Sequence, residues 1–227
     1  EIWVNFILSG PLTHAANISS NILMSAYEFG PKRVAHSLLN EVAVQTGLGD
    51  KMAPRIGELP HLYVAMGKGF IQGAKYFWQS IVSEDSAFEK ALGVDKTRAK
   101  IASSHVRHIR GGPIANVVGR GVRLSGTTFL NAMDSWQKSV NAHAEVVALA
   151  YRDAKINGLV DDQVGQYMNN VINDKSHRLW TDALIKARDM VFQGEPSIVG
   201  RAALTVRGTV PGARWLMPFV LTPDNIL

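Results

Sequence analysis

The two most closely spaced histidines, His105 and His108, are the first candidates for a chemical site. Three residues apart, they could share one face of a helix, as two metal ligands often do. Arg107 and Arg110 flank them, however, and their positive charge disfavours a bound cation. Contact with phosphate, or an ordinary exposed surface, explains this group better than a metal site.

No familiar catalytic motif occurs in the sequence. It contains no G-x-x-x-x-G-K-[ST] phosphate loop, no H-E-x-x-H and no G-x-S-x-G. The absence of cysteine excludes thiolate nucleophiles, thiolate zinc sites and disulfides. The acidic pairs Glu84-Asp85 and Asp161-Asp162 stand at predicted helix starts, where the helix dipole favours acids. The sequence therefore predicts no catalytic residue, no metal or other cofactor and no small-molecule substrate, and it indicates a non-enzymatic region.

Positive charge is concentrated in one part of the chain. The formal net charge is +5, yet residues 95–123 alone carry seven basic residues against one acidic residue. The basic residues are Lys96, Arg98, Lys100, Arg107, Arg110, Arg120 and Arg123. Such a glycine-containing stretch could contact a polyanion such as DNA without sequence preference. It could equally be a solvated connector that pairs with acids on neighbouring subunits, and no interleaved aromatic residue favours base stacking.

Helical periodicity runs through nearly the whole chain, so the sequence predicts an all-α fold, an extended multi-helix arrangement with Gly/Pro connectors. The strongest pattern predicts a long helix over about 127–157, with an apolar stripe that we call the seam. The seam consists of Phe129, Met133, Trp136, Val140, His143, Val147, Ala150 and Ala154, alternately four and three residues apart. This is a heptad spacing, which indicates a partner helix along the full length. His143 is interpreted as a buried structural residue, because no second metal ligand lies one turn away.

Three helices are predicted in the N-terminal part of the chain. The first covers 12–29, the second begins at Pro31 and ends near Gln45, and the third covers about 61–82. In the third, the small residues Ala65, Gly69 and Gly73 are four apart and would let another helix approach closely. Residues 2–27 contain no Lys, Arg, Asp or Glu. This composition indicates either a helix that is buried in an assembly or a segment that enters a bilayer. No signal peptide and no ordinary membrane-spanning helix is predicted.

Further helices are predicted from their expected caps. Ser86 with Glu89 predicts a capping box for a short helix that ends at Gly93. Asp161 or Asp162 is predicted to cap a helix that ends near Asn173. Another helix is predicted over 174–192. We divide the chain into an N-terminal helical region over 1–93, a basic Gly-rich connector over 94–125 and a C-terminal helical region over 126–227. The missing initial Met and the abrupt ending indicate a piece of a longer chain.

Both ends of the sequence resemble internal virion proteins of tailed bacteriophages and the related large polyvalent phage proteins. The opening carries W-V-N-x-x-L-S-G-P-x-T-H-x-x-N over residues 3–17, and the end carries P-F-V-x-T-P-x-N-I over 218–226. The closing phrase is the more specific of the two. Its residues include Pro218, Phe219, Thr222, Pro223 and Asn225. Between these ends, the pattern A-x-x-x-A-x-x-x-x-F at Ala183, Ala187 and Phe192 is similar to the same group.

The resemblance implies a structural component carried inside the capsid and delivered with the genome. Such a protein assembles as a homo-oligomer with other virion proteins and helps to build a conduit for phage DNA across the host envelope. It implies a location in the virion interior and then in the host envelope during infection, with the host membrane as a further contact. The sequence also leaves two alternatives open, a nucleic-acid-binding module that uses 96–123 and a membrane-active helical protein that uses 2–27.

Overall fold

The computed structural model describes residues 11–83, 86–93, 127–191, 205–206 and 209. Within them the all-α prediction is confirmed, and there is no β-strand. The α-helices that we number are α1 (Pro11–Tyr27), α2 (Arg33–Gln45), α3 (Leu59–Ser83), α4 (Ala87–Ala91), α5 (Thr127–Ile156), α6 (Asp161–Asn173) and α7 (Arg178–Met190). A π-helical turn, Glu28–Lys32, joins α1 to α2, and a short 3-10 helix, Ile56–Glu58, precedes α3.

The boundary between α1 and α2 is the one that the Gly-Pro step predicted. Gly30 leaves the helical region with φ −90° and ψ −112°. Pro31 follows, and its fixed φ suits the start of a new helix while its missing N–H breaks the old ladder. The chain thus bends at Gly30, and α2 then runs to Gln45.

Helix α5 is the centre of the molecule. Every residue from Gln137 to Ala150 is buried, so the helix is covered on all sides over almost four turns. Helices α3, α6 and α7 supply most of that cover, and α1 and α4 add to it. A helix buried all round is normally apolar all round. Here, however, the buried side chains of α5 include Gln137, Lys138, Asn141 and Glu145.

The small residues of α3 pack directly against α5. A β-carbon at Gly69 would lie 2.8 Å from the carbonyl oxygen of Ser139 and 2.9 Å from the Cα of Val140. A β-carbon at Gly73 would lie 2.9 Å from the carbonyl oxygen of Trp136. These distances leave no room for any side chain, so the predicted close approach is confirmed, and the approaching helix is α5 of the same chain.

Helices α6 and α7 close the other side of α5 with an ordinary apolar core. The core residues of α6 are Val164, Met168 and Val171, and those of α7 include Trp180 and Leu184. Both helices expose polar residues elsewhere on their surface, which is the usual amphipathic arrangement. Helices α6 and α7 are therefore mainly apolar on the side that faces α5 and mainly polar on the outside.

Two predicted helix caps are wrong. Ser86 stands at the start of α4 but makes no side-chain cap, because its hydroxyl lies 3.0 Å from that of Ser135 instead. Helix α6 is preceded by Val160, not capped by an aspartate, and the side chain of Gln163 reaches back to the Val160 N–H at 3.4 Å. In both places, a contact that local sequence does not reveal replaced the expected one.

The last described helix also begins later than predicted. Helix α7 starts at Arg178, four residues after the predicted start at Asp174. His177 caps it by accepting a hydrogen bond from the Leu179 N–H at 3.3 Å. Asp174 instead holds the preceding turn, because its carboxylate accepts a hydrogen bond from the Ser176 N–H at 3.0 Å.

Candidate interaction surface

Helix α1 is turned so that its polar residues face inward. Asn21 and Ser25 are buried against α5, whereas Ile22, Leu23 and Tyr27 are exposed. Their spacing puts the apolar residues on the side of the helix that faces away from the molecule. This is the reverse of the arrangement that a water-exposed helix normally shows.

Helix α2 shows the same reversal. Its buried residues are Arg33, Ser37 and Asn40, and its exposed apolar residues are Leu38, Leu39 and Val42. Asn40 is held by the loop that follows, since it donates to the Pro54 carbonyl at 3.2 Å and accepts from the Asp50 N–H at 3.1 Å. The inner side of α2 is therefore polar.

Helix α3 buries mainly small residues, together with Leu62, and exposes several large ones. Its stripe of Ala65, Gly69 and Gly73 meets α5, while the opposite side carries large apolar side chains. These are Tyr63, Val64, Phe70, Ile71, Trp78 and Val82, each between 45% and 84% exposed. We call the exposed apolar residues of α1, α2 and α3 together the apolar outer surface. Soluble monomers rarely expose contiguous apolar patches beyond a few hundred Å², and larger ones mark interaction sites.

The inner side of α1 meets α5 through a buried hydrogen-bond network. The Ser25 hydroxyl donates to Asn141 Oδ1 at 2.9 Å, and Gln137 Nε2 donates to the Ser25 oxygen at 2.9 Å. The Asn21 amide adds a contact to Asp134 Oδ1 at 3.5 Å. Because buried polar groups are costly unless they are paired, this network fixes how α1 sits on α5.

A closed group of four alternating charges lies under α2 and the 3-10 helix. Arg33 contacts Glu58 at 3.0 Å and Glu145 at 2.5 Å, and Arg152 contacts the same two carboxylates at 2.9 and 3.4 Å. Lys186 of α7 joins it with a 2.8 Å contact to Glu145. The contacts to Glu58 are ion pairs whose angles lie outside hydrogen-bond geometry, whereas those to Glu145 are hydrogen bonds. We call these five residues the charge cluster.

The two carboxylates of the charge cluster respond differently to their surroundings. Burial raises the pKa of Glu58, and this effect outweighs the opposing effect of Arg152 and Arg33. Burial would also raise the pKa of Glu145, but Arg33, Lys186 and Arg152 together bring it below its ordinary value. Glu145 is thus the carboxylate that the three cations hold ionised. Removing one partner from such a buried group typically costs about 3–5 kcal/mol, so the cluster ties α2, α5 and α7 into one arrangement.

A second buried ion pair joins α4, α5 and α7. The carboxylate of Glu89 lies 2.9 Å from Lys138 Nζ and 3.1 Å from Arg188 Nε. Burial opposes ionisation of Glu89, yet the two cations lower its pKa below the ordinary value. This contact explains why Glu89 is not available to complete the capping box that the sequence predicted.

His143 lies in the core between α5 and α7. Its Nδ1 is 2.7 Å from the Ser139 carbonyl oxygen, so Nδ1–H donates to that carbonyl. Its Nε2 lies 3.5 Å from Lys175 Nζ, and that ammonium stands 3.3 Å from the centre of the Trp180 ring. Burial and the charge of Lys175 lower the pKa of His143 to about 4, and burial lowers the pKa of Lys175 to about 8. The imidazole is neutral and serves as a packed hydrogen-bonding residue.

The seam residues are covered by elements of the same chain. Trp136 donates to the Phe70 carbonyl at 3.1 Å and packs against the Phe70 ring, and Val140 and Val147 are buried. Phe129 contacts the rings of His14 and Phe77. Met133 is half-buried next to the inner side of α1. Over this length, the partner that the heptad spacing requires comes from within the protomer.

The other predicted site residues lie outside the described residues. This holds for the seven basic residues, Lys96, Arg98, Lys100, Arg107, Arg110, Arg120 and Arg123, and for Pro218, Phe219, Thr222, Pro223 and Asn225. In the part of the chain that the structure describes, no cluster of three or more His, Asp or Glu side chains could hold a metal ion. Among those same residues, no helix combines the length and the apolar content that crossing a bilayer requires.

The sequence analysis missed the apolar outer surface, although one signal for it was present. Val64, Ile71 and Trp78 recur every seven residues on α3, on the side opposite Ala65, Gly69 and Gly73. A helix with an apolar stripe on each of two sides needs a partner on each side. Helix α5 covers one of these stripes, and the other belongs to the apolar outer surface.

The described part of the chain is thus an all-α protein built round a buried polar helix, with an apolar exterior on its N-terminal side. Comparison of the chain with family models, with curated proteins and with solved structures found no match.

Proposed function

We propose that this chain is a structural, non-enzymatic component of the interior of a tailed-phage virion. In this proposal it assembles into an oligomer, with copies of itself and other virion proteins, and helps to conduct the phage genome across the host envelope. The apolar outer surface supports the assembly, and the sequence phrases over 3–17 and 218–226 support the phage context. The basic residues of 96–123 are then available for the passing DNA.

The observation that carries the assembly is the reversed polarity of α1, α2 and α3. Helices α1 and α2 give polar residues to the interior, and α3 gives its small-residue stripe together with Leu62. All three helices expose large apolar residues. Apolar surface removed from water stabilises an assembly by about 25 cal/mol per Å². A monomer gains nothing from exposing this surface, whereas an oligomer gains from covering it.

Two measurements test the proposal, the mass of the assembly in solution and the location of the chain in phage particles. Sedimentation of the purified chain over a 100-fold concentration range is expected to show a multimer whose share grows with concentration. In purified phage particles, the chain is expected to resist protease until the genome has been ejected, and to be digested afterwards. A chain that stays monomeric at the highest concentration, or that is missing from the particles, would contradict the proposal.

Contact with a lipid bilayer is a second candidate function, and one observation favours it. Helix α1 carries no charged residue from Pro11 to Tyr27, and its apolar side faces outward. An amphipathic helix of this kind can lie in the membrane interface without crossing the bilayer. This contact is compatible with an oligomer that reaches the host envelope.

A further inference from the structure

The outer side of α3 carries a second heptad pattern, separate from the seam of α5. Written as a heptad, the central a positions are Val64, Ile71 and Trp78, and the central d positions are Gly67, Ala74 and Ile81. The flanking e positions are Lys68, Lys75 and Val82, and the flanking g positions are Tyr63, Phe70 and Phe77. The pattern lasts three heptads, with β-branched residues at two of its a positions, Val64 and Ile71, and small residues at two of its d positions, Gly67 and Ala74. The three a residues are 63%, 74% and 66% exposed, so no residue that the structure describes covers the centre of this stripe.

Gly67 is a second sign that another helix approaches this side. A glycine inside a helix costs about 1 kcal/mol relative to alanine. Gly69 and Gly73 compensate this cost through their contact with α5, but a β-carbon at Gly67 would meet nothing within 4 Å. Gly67 stands at a d position of the outer heptad, where a small residue lets a facing backbone come close. Among the residues that the structure describes, no contact accounts for a glycine at this position.

We propose that two copies of the chain pair in parallel through the outer side of α3. This inference rests on the proposed oligomer and names one of its contacts. The two helices lie in register, so that Val64, Ile71 and Trp78 each meet the same residue of the second copy.

The flanking residues decide between the parallel and antiparallel arrangements. In a parallel pair, each g residue meets the e residue five positions further along the partner helix. Tyr63 then faces the partner's Lys68, and Phe70 faces the partner's Lys75, so each ammonium lies near an aromatic ring. Such cation–π contacts are favourable. In an antiparallel pair, the e positions of the two helices face each other, which brings the lysines together.

The exposed area fits an interface between two copies. The exposed fractions of Tyr63, Val64, Phe70, Ile71, Trp78 and Val82 lie between 45% and 84%. With about 150–250 Å² for each fully exposed large side chain, these residues offer roughly 700 Å² per copy. A stable protein interface buries about 800 Å² on each partner. The remaining area can come from the flanking positions of the same heptads.

Single cysteines provide a direct test, because the chain has no cysteine of its own. Val64→Cys, Ile71→Cys and Trp78→Cys replace exposed side chains, so all three variants are expected to fold. A disulfide forms when the two Cα atoms lie about 4.4–6.8 Å apart. Parallel pairing predicts that each variant oxidises to a covalent dimer. Leu48→Cys, at an exposed loop position, is the control and is expected to stay largely uncrosslinked at the same concentration.

A charge placed in the stripe provides the second test. Ile71→Glu buries a carboxylate at the centre of the proposed interface and is expected to raise the dissociation constant about 30-fold or more. Ile185→Glu is the matched control, since Ile185 is 51% exposed on α7, and it is expected to leave the constant unchanged. Circular dichroism of both variants verifies that they fold.

The outcomes separate this inference from the proposed function. An oligomer that forms normally with Ile71→Glu, and without disulfides at 64, 71 or 78, would refute the α3 pairing and leave the assembly standing. Disulfides that form with Ile71→Cys alone, and when Val64→Cys is mixed with Trp78→Cys, but not with Val64→Cys alone or Trp78→Cys alone, would replace the parallel pair with an antiparallel one. A monomer that binds phosphatidylglycerol vesicles, and that loses this binding with Ile71→Glu, would refute both and assign the surface to lipid.

Discussion

At the scale of single residues, His143 shows how the core treats a titratable group. The imidazole has one hydrogen-bond partner on each ring nitrogen, the Ser139 carbonyl and Lys175, and it lies against the Trp180 ring. A proton added to Nε2 would face the ammonium of Lys175. The site therefore stabilises the neutral imidazole relative to the protonated imidazolium.

This arrangement predicts that stability falls between pH 7 and pH 5. The pKa of His143 is about 4 in the folded protein against 6.5 in the unfolded chain. Below pH 6.5 the unfolded chain therefore binds a proton that the folded protein does not, and the free energy of unfolding falls by up to about 1.4 kcal/mol per pH unit. Urea unfolding at pH 7, 6 and 5 measures this slope.

A non-titrating variant supplies the control for that slope. His143→Gln keeps a hydrogen-bonding side chain and is expected to be less stable at pH 7, but to lose less stability than the wild type on acidification. Glu89 and Glu145 titrate below this interval, because both have a lowered pKa. Glu58, whose pKa is raised, acts in the opposite direction but contributes equally to the wild type and the variant, so the difference between their slopes reports on His143. Equal slopes in the two proteins would show that His143 is not the group responsible.

At the scale of helices, α3 contains two mid-helix glycines in opposite situations. Gly69 meets backbone atoms of α5, and Gly67 faces open space. The two positions are two residues apart in the same helix, so the same substitution at each one compares packing with helix propensity.

Alanine at these two positions is predicted to have effects of opposite sign. Gly69→Ala forces α3 away from Ser139 and Val140 and is expected to lower the free energy of unfolding by about 1–3 kcal/mol. Gly67→Ala meets nothing and is expected to raise it by up to about 1 kcal/mol. Urea unfolding at low protein concentration measures both, without the contribution of subunit contacts. A gain of stability with Gly69→Ala as large as that with Gly67→Ala would contradict the close contact of α3 with α5.

The elements differ in how far the sequence could predict them. The break at Gly30, the length of α5 and the small-residue stripe of α3 depend on local composition and spacing, and these predictions are confirmed. The polar inner side of α1 could not be predicted, because Ser25 meets Asn141, which is 116 residues away. Glu89 was interpreted as a cap because its partners Lys138 and Arg188 are 49 and 99 residues distant. The apolar outer surface was missed because its exposure depends on which side of each helix meets α5.

At the scale of the whole molecule, the helices on the two sides of α5 distribute their polar and apolar residues in opposite ways. Helices α6 and α7 bury mainly apolar residues, whereas α1 and α2 bury polar residues and α3 buries a small-residue stripe together with Leu62. Helices α1, α2 and α3 all expose large apolar residues. Because the apolar outer surface lies on only one side of α5, the protein has a preferred orientation in an assembly. We therefore expect subunits or lipid on the N-terminal side and water on the side of α6 and α7.

A vesicle experiment distinguishes lipid from protein as the cover of α1. If α1 contacts a bilayer, the full chain is expected to release dye from anionic vesicles, and a chain without residues 2–27 is expected to release much less. Leu23→Asp provides a milder test, because Leu23 is 69% exposed and its replacement leaves the buried network of Ser25 intact. Equal leakage from the full and shortened chains would exclude α1 as the membrane contact.

The central position of α5 has a consequence for the order of events during synthesis. Helices α1 to α3 leave the ribosome well before α5, yet the groups that they bury, such as Arg33 and Ser25, find their partners only on that later helix. Contacts between such distant parts of a chain form late, because a long loop must close first. The nascent N-terminal half therefore waits with its polar and its apolar sides both uncovered. This period of synthesis is when the chain is most exposed to misassociation.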